Sequence, residues 1–116
     1  GEITTPAIMQ EDTLIVASGS GTTSSVILAV QKAKKNNACV IGITTDIQST
    51  VAQQADLMIH VPAAGKTDFS DNISKQYAAS LFEQFTLFLL DGIFMTLWRL
   101  SGKTKEELWP KHANLE

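Results

Sequence analysis

Three groups of residues in this chain have the types and the spacing to do chemistry. The first is the run Ser18-Gly19-Ser20-Gly21-Thr22-Thr23. Glycines let a backbone approach an anion closely, hydroxyls donate hydrogen bonds, and a helix that starts directly after the loop adds free N–H groups and a positive dipole end. No Gly-Lys-Ser/Thr follows, and the full G-x-G-x-x-G spacing is absent, so the loop matches neither nucleotide pattern. A small phosphate ester suits it better, although an ordinary turn with capping serines would contain the same residues. The second is Glu83, set in the apolar stretch Ser80-Leu81-Phe82-Glu83-Gln84-Phe85. Partial burial there would raise its pKa towards values useful to a general base; a carboxylate near a helix start, paired to a neighbouring base, is the plainer alternative. The third is His112, beyond Pro110 in the closing run Lys111-His112-Ala113-Asn114-Leu115-Glu116, where a solvated tail is the default.

Other candidates carry less. His60 lies in an apolar run and is expected to be packed or at a sheet edge. His60, His112 and the carboxylates show no ligand spacing, so no metal site is expected. Asn72-Ile73-Ser74 has the form of a glycosylation acceptor, which means little without a secretory signal.

The elements that must position these residues can be read from periodicity. Thr13–Ala17 (TLIVA) is short, apolar and rich in β-branched residues, as parallel strands are, and it runs straight into the glycine-serine loop. Val26, Ile27, Val30 and Ala33 then recur at helical spacing. The helix should stop at Asn36-Asn37, after a lysine-rich last turn. Val40–Thr44 is the second expected strand. Asp46 and the Ser49-Thr50 pair, with Gln53 three residues beyond Thr50, read as an N-cap with a capping-box partner for a short helix ending near Ala55. Leu57–Val61 is the third strand. The stretch 62–74 has no apolar period and is expected to be a lid or binding loop. Gln76–Leu100 reads as one long helix, apolar on more than one face, and Thr104-Lys105-Glu106-Glu107 as a second capping box that starts a short helix. Strands alternating with helices imply parallel pairing through right-handed crossovers. The expected class is therefore α/β, a three-layer sandwich with a parallel sheet flanked by helices.

Composition sets the outer bounds. The chain has 116 residues, 44% hydrophobic and 18% charged, which suits one compact domain and excludes a disordered chain. Its formal charge is -3, and no run is denser in base than Lys32–Lys35, so nucleic acid is not an expected partner. Cys39 is the single cysteine, which rules out a disulfide framework and fits a reducing, cytoplasmic setting. Glu83, Gln84, Asp91 and Arg99 interrupt the apolar stretch 81–100, so a buried or interface helix is expected there rather than a membrane span. An apolar helix of this kind needs a partner surface, and a homo-oligomer is the expectation. The first residue, Gly1, leads into a polar stretch without periodicity, GEITTPAIMQED, from which a missing N-terminal part is expected.

Taken together, strand-SGSGTT-helix, then VIGITTDIQSTVAQQADLMIHVP, then SLFEQ, and a terminal KHANLE resemble the sugar isomerase (SIS) domain family, and within it the 6-phospho-3-hexuloisomerases. The similarity runs over nearly the whole chain. It implies a single flavodoxin-like SIS domain, represented here by its C-terminal portion. It also implies an enzyme that interconverts D-arabino-hex-3-ulose 6-phosphate and D-fructose 6-phosphate through an enediol, in the ribulose monophosphate route of formaldehyde fixation, with no metal or organic cofactor. The loop Ser18, Gly19, Ser20, Gly21, Thr22 and Thr23 would hold the phosphate, Glu83 would be the base, and His112 would complete the site of a neighbouring subunit in a homodimer or homotetramer. Thr22 stands where the family usually has Glu, and 74–79 departs from the family's proline-methionine-glycine pattern. Two other readings follow from the same fold: a non-catalytic sugar-phosphate-binding regulatory module, and an assembly module that uses only its apolar helix.

Overall fold

The structure is a computed structural model that describes residues 6–66, 76–77 and 80–111. It contains β1 (Thr13–Ala17), α1 (Ser24–Lys35), β2 (Cys39–Thr44), α2 (Thr50–Gln54), β3 (Leu57–His60), α3 (Ser80–Ser101) and α4 (Lys105–Leu108), followed by a 3₁₀ turn at Trp109–Lys111. The chain divides into two compact units, Gly1–Thr86 and Leu87–Glu116.

In the first unit the three strands form a parallel sheet in the order β1-β2-β3. The register pairs Leu14 with Val40, Val16 with Gly42 and Gly42 with Met58, so these side chains share one face. Both α1 and α2 pack on that face, for α1 touches β1, β2 and α2, and α2 touches β2. The core between them is Val16, Val30, Ala33, Ala38, Val40 and Val51. Gly42 is required where α2 crosses the sheet, because a β-carbon there would lie 3.0 Å from Val51 and 3.2 Å from Ala55. The opposite face carries Ile15, Ile41 and Leu57, of which Ile15 and Leu57 are exposed.

Helix ends follow from local chemistry. α1 closes as its residues dictate: Lys32, Lys34 and Lys35 fill the last turn, Asn36 caps, and Asn37 takes a left-handed φ of 58°. α2 is capped by Ser49, whose side chain accepts from the Ala52 N–H. The expected Thr50/Gln53 box does not form. With Ser49 as the cap, the third helical position is Ala52, which has no side chain to return the bond, and Gln53 donates instead to the Gln48 carbonyl at 3.0 Å. Asp56 ties the far end of this unit together, pairing with Lys34 of α1 and accepting from the Val40 N–H at 2.8 Å.

The long helix is described from Ser80 to Ser101, four residues later at its start than its spacing predicts; 78–79 lie outside the described residues. The loop expected over 62–74 is described only as far as residue 66, where it has no regular structure, and its remainder lies outside the described residues. Of α3, only Phe82 and Thr86 are buried, while Leu87, Phe88, Phe94, Leu97 and Leu100 are exposed. By length and composition alone α3 is long and apolar enough to cross a membrane, with an 18-residue window of mean hydropathy 1.3. Asp91 at its middle opposes that, since an acidic side chain at the centre of a bilayer costs about 3 kcal/mol. In the second unit the Thr104–Glu107 capping box forms in both directions and α4 follows, as its residues predict.

Candidate functional site

The register of β1 on β2 carries the loop after β1 to the carboxyl end of β2. Ala17 pairs with Ile43, and the Ser18 N–H continues the ladder by donating to the Ile43 carbonyl at 2.9 Å. This is the sheet end at which open α/β folds bind ligands.

Within the loop, the Gly21 N–H lies 3.1 Å from both the carbonyl and the hydroxyl oxygen of Ser18. The Ser18 and Thr23 hydroxyls are hydrogen-bonded at 2.8 Å. Thr23 is thereby drawn away from capping: it occupies the N-cap position of α1 but makes no side-chain cap bond. The first turn of α1 also holds no acidic residue. Its N–H groups and dipole thus present an uncompensated positive end beside the loop. Thr22 is exposed and folds back, its hydroxyl donating to Ser20 Oγ at 3.0 Å and its N–H to the same atom at 3.3 Å. The loop carries no negative charge.

The backbone at Gly21 has φ +64°, and a β-carbon there would fall 2.0 Å from Ser49 Oγ and 2.3 Å from Ser49 Cβ. Only glycine satisfies both conditions. The Gly21 carbonyl accepts from the Val51 N–H at 3.0 Å, so the loop is fastened to α2 as well as to β2. Gly19 is covered from another direction, by the Phe82 ring of α3, which a β-carbon on Gly19 would touch at 3.5 Å. Phe82 is 6% exposed.

That contact sets the start of α3 against the loop. Glu83 follows Phe82 in the first turn of α3, within the same unit as the loop. Its side chain is exposed, contrary to the burial its apolar neighbours suggest. The reason is helical geometry: Phe82 and Thr86, four residues apart, share the packed side, and Glu83 is rotated about 100° from Phe82. His112 lies outside the described residues. His60, on the edge strand β3, is exposed and hydrogen-bonds through Nε2 to the Thr45 carbonyl at 3.1 Å. Among the described residues, no group of three or more His, Cys, Asp or Glu side chains is placed to hold a metal ion.

Residue-type reasoning passed over Thr44 and Thr45. Both side chains donate to the Gly19 carbonyl, at 3.1 Å and 2.8 Å. The signal available beforehand was their place at the end of the VIGITT strand, next to where the neighbouring strand releases its own loop.

Comparison with known proteins agrees with this architecture. The model of the SIS domain family matches residues 4–84. Over its full length the chain is 48% identical to 3-hexulose-6-phosphate isomerase of Mycobacterium gastri, covering 58% of that protein. It is 37% identical to the 3-hexulose-6-phosphate isomerase of Bacillus subtilis, covering 100% of this chain and 63% of that one. Among solved structures, a Methanococcus jannaschii protein with an inferred molecular function of 3-hexulose-6-phosphate isomerase superposes with a TM-score of 0.74 at 30% identity, covering 100% of this chain and 61% of the other. The chain thus spans about three fifths of the length of the relatives it matches.

Proposed function

Since the chain belongs to the SIS domain family, we propose that it acts in a sugar-phosphate isomerase converting D-arabino-hex-3-ulose 6-phosphate to D-fructose 6-phosphate and back. The observation that carries the reading is 48% identity along the whole chain to a 3-hexulose-6-phosphate isomerase. The glycine-serine loop at the carboxyl end of the sheet, with an uncapped helix start behind it, supports a phosphate site made of Ser18, Gly19, Ser20, Gly21, Thr22 and Thr23.

Moving the carbonyl from carbon 3 to carbon 2 requires loss of the proton on carbon 2, a 2,3-enediol, and return of a proton to carbon 3. One carboxylate can take the first proton and return it, and Glu83 is assigned that role. Its place one residue after Phe82, which packs on the loop, supports the assignment. His112 is assigned transfer of the hydroxyl proton or polarisation of the carbonyl, in the site of a neighbouring subunit of a homodimer or homotetramer. The exposed apolar side chains of α3 support such an assembly.

A coupled assay for fructose 6-phosphate formation, with the 3-ketose phosphate generated in place, tests the proposal. Replacing Glu83 by Gln is expected to lower turnover by about 10²- to 10⁴-fold while leaving fructose 6-phosphate binding unchanged. Retained turnover removes Glu83 from the mechanism. Binding of sugar phosphates without turnover in the unaltered protein would favour a regulatory module instead.

A further inference from the structure

The loop is held from behind by residues that no chemical motif marks. The Gly19 carbonyl accepts three hydrogen bonds: from the Thr45 N–H at 3.1 Å, from Thr45 Oγ1 at 2.8 Å and from Thr44 Oγ1 at 3.1 Å. Thr45 is in turn fixed on its other side, where His60 Nε2 donates to its carbonyl at 3.1 Å. A carbonyl has two lone pairs, so three donors converging on one oxygen leave its peptide little freedom to rotate. Glycine at position 19 sets no β-carbon against rotation of this peptide from its own side, so the hydrogen bonds supply the restraint there.

The direction of the restraint matters. Among the described residues no peptide bond is cis, and in a trans peptide the C=O and the following N–H point in opposite directions. With the Gly19 oxygen drawn towards the residues at the end of β2, the Ser20 N–H is turned away from them. Among the described residues no acceptor engages it. A free, fixed N–H between two glycines of an anion loop is a donor set in place before the ligand arrives.

We propose that Thr45, assisted by Thr44 and backed by His60, is a positioning residue that holds the Gly19–Ser20 peptide so that the Ser20 N–H is presented to a phosphate oxygen. The inference rests on the reading of residues 18–23 as the phosphate loop. Thr45 acts through the backbone and does not itself bond the anion.

Amide NMR of the ¹⁵N-labelled chain, titrated with inorganic phosphate and separately with fructose 6-phosphate, tests it. Both ligands should shift the Ser20 amide. Thr45→Val keeps the side-chain shape and removes the hydroxyl; it should weaken both ligands about 3- to 10-fold, the effect of one neutral hydrogen bond, and shrink the Ser20 shift. Thr45→Ser keeps the hydroxyl and should restore affinity to within about twofold. His60→Ala changes an exposed side chain, leaves the loop chemically intact, and should weaken binding in the same direction; unchanged affinity would remove His60 from the arrangement. A folded Thr45→Val protein with unaltered affinity and Ser20 shift overturns the role of Thr45, as does ligand binding to which the Ser20 amide never responds. If neither ligand binds the unaltered chain, the phosphate-loop reading itself fails, and the positioning role falls with it.

Discussion

Gly21→Ala separates two physical demands that meet at one atom. The backbone there has φ +64°, and the added methyl would sit 2.0 Å from Ser49 Oγ and 2.3 Å from Ser49 Cβ. A non-glycine residue in the left-handed region costs about 1–2 kcal/mol. Forcing a methyl into an occupied position costs about 1–3 kcal/mol more. The sum is about 2–5 kcal/mol; for a domain of this size, a loss of about 3 kcal/mol lowers the melting temperature by roughly 12–24 °C. The two parts can be told apart by a double-mutant cycle. Ser49→Gly alone removes a helix cap and should cost only a few tenths of a kcal/mol, because glycine is itself tolerated as an N-cap. In the Gly21→Ala/Ser49→Gly protein the two shortest contacts are gone and only Thr44 Oγ1, 3.0 Å away, stays close, so about 1–3 kcal/mol of the Gly21→Ala loss should return, leaving mainly the backbone strain. Urea denaturation of the four proteins gives each quantity. Gly21→Ala melting with the unaltered chain, or a double variant no more stable than Gly21→Ala, would refute the close approach of Ser49 to the loop.

Two further outcomes follow from the packing. The Lys34 ammonium, and after it the Val40 N–H, hold the Asp56 carboxyl below its ordinary value of 3.8, so the folded state binds its proton less readily than the unfolded state. The stability this contributes is present above the ordinary carboxylate range and is lost as pH falls through the lowered value; urea midpoints of the unaltered chain and Asp56→Asn should therefore differ at neutral pH and converge in acid. Phe82→Ala empties a buried site over Gly19 and should destabilise by about 3–5 kcal/mol, read from urea unfolding, whereas Phe82→Leu should retain most of that stability.

Much of the scaffold was legible because its determinants are local. β1 matches its apolar run residue for residue, and Asn36-Asn37 ends α1 because asparagine tolerates the left-handed angle that Asn37 adopts. The Thr104–Glu107 box is complete within four residues and forms as its spacing predicts. The α2 cap went the other way for an equally local reason: two adjacent hydroxyl residues compete for one position, and Ser49 takes it. Burial at Glu83 was not legible, since an apolar neighbourhood in sequence says only that a helix has a packed side, and the exact rotation of that side decides which residue occupies it.

By itself, then, the order of residues determined the strand-loop-helix unit, the class of fold and the types of group available for binding an anion, because those depend on contacts a few positions apart. Tertiary structure decided how the loop is held. Thr45 reaches Gly19 across 26 positions, and Phe82 reaches it across 63; both depend on the register of β2 against β1 and on where α3 begins. Such contacts form only after the sheet has paired and the helices have packed, so no local spacing carries their signal.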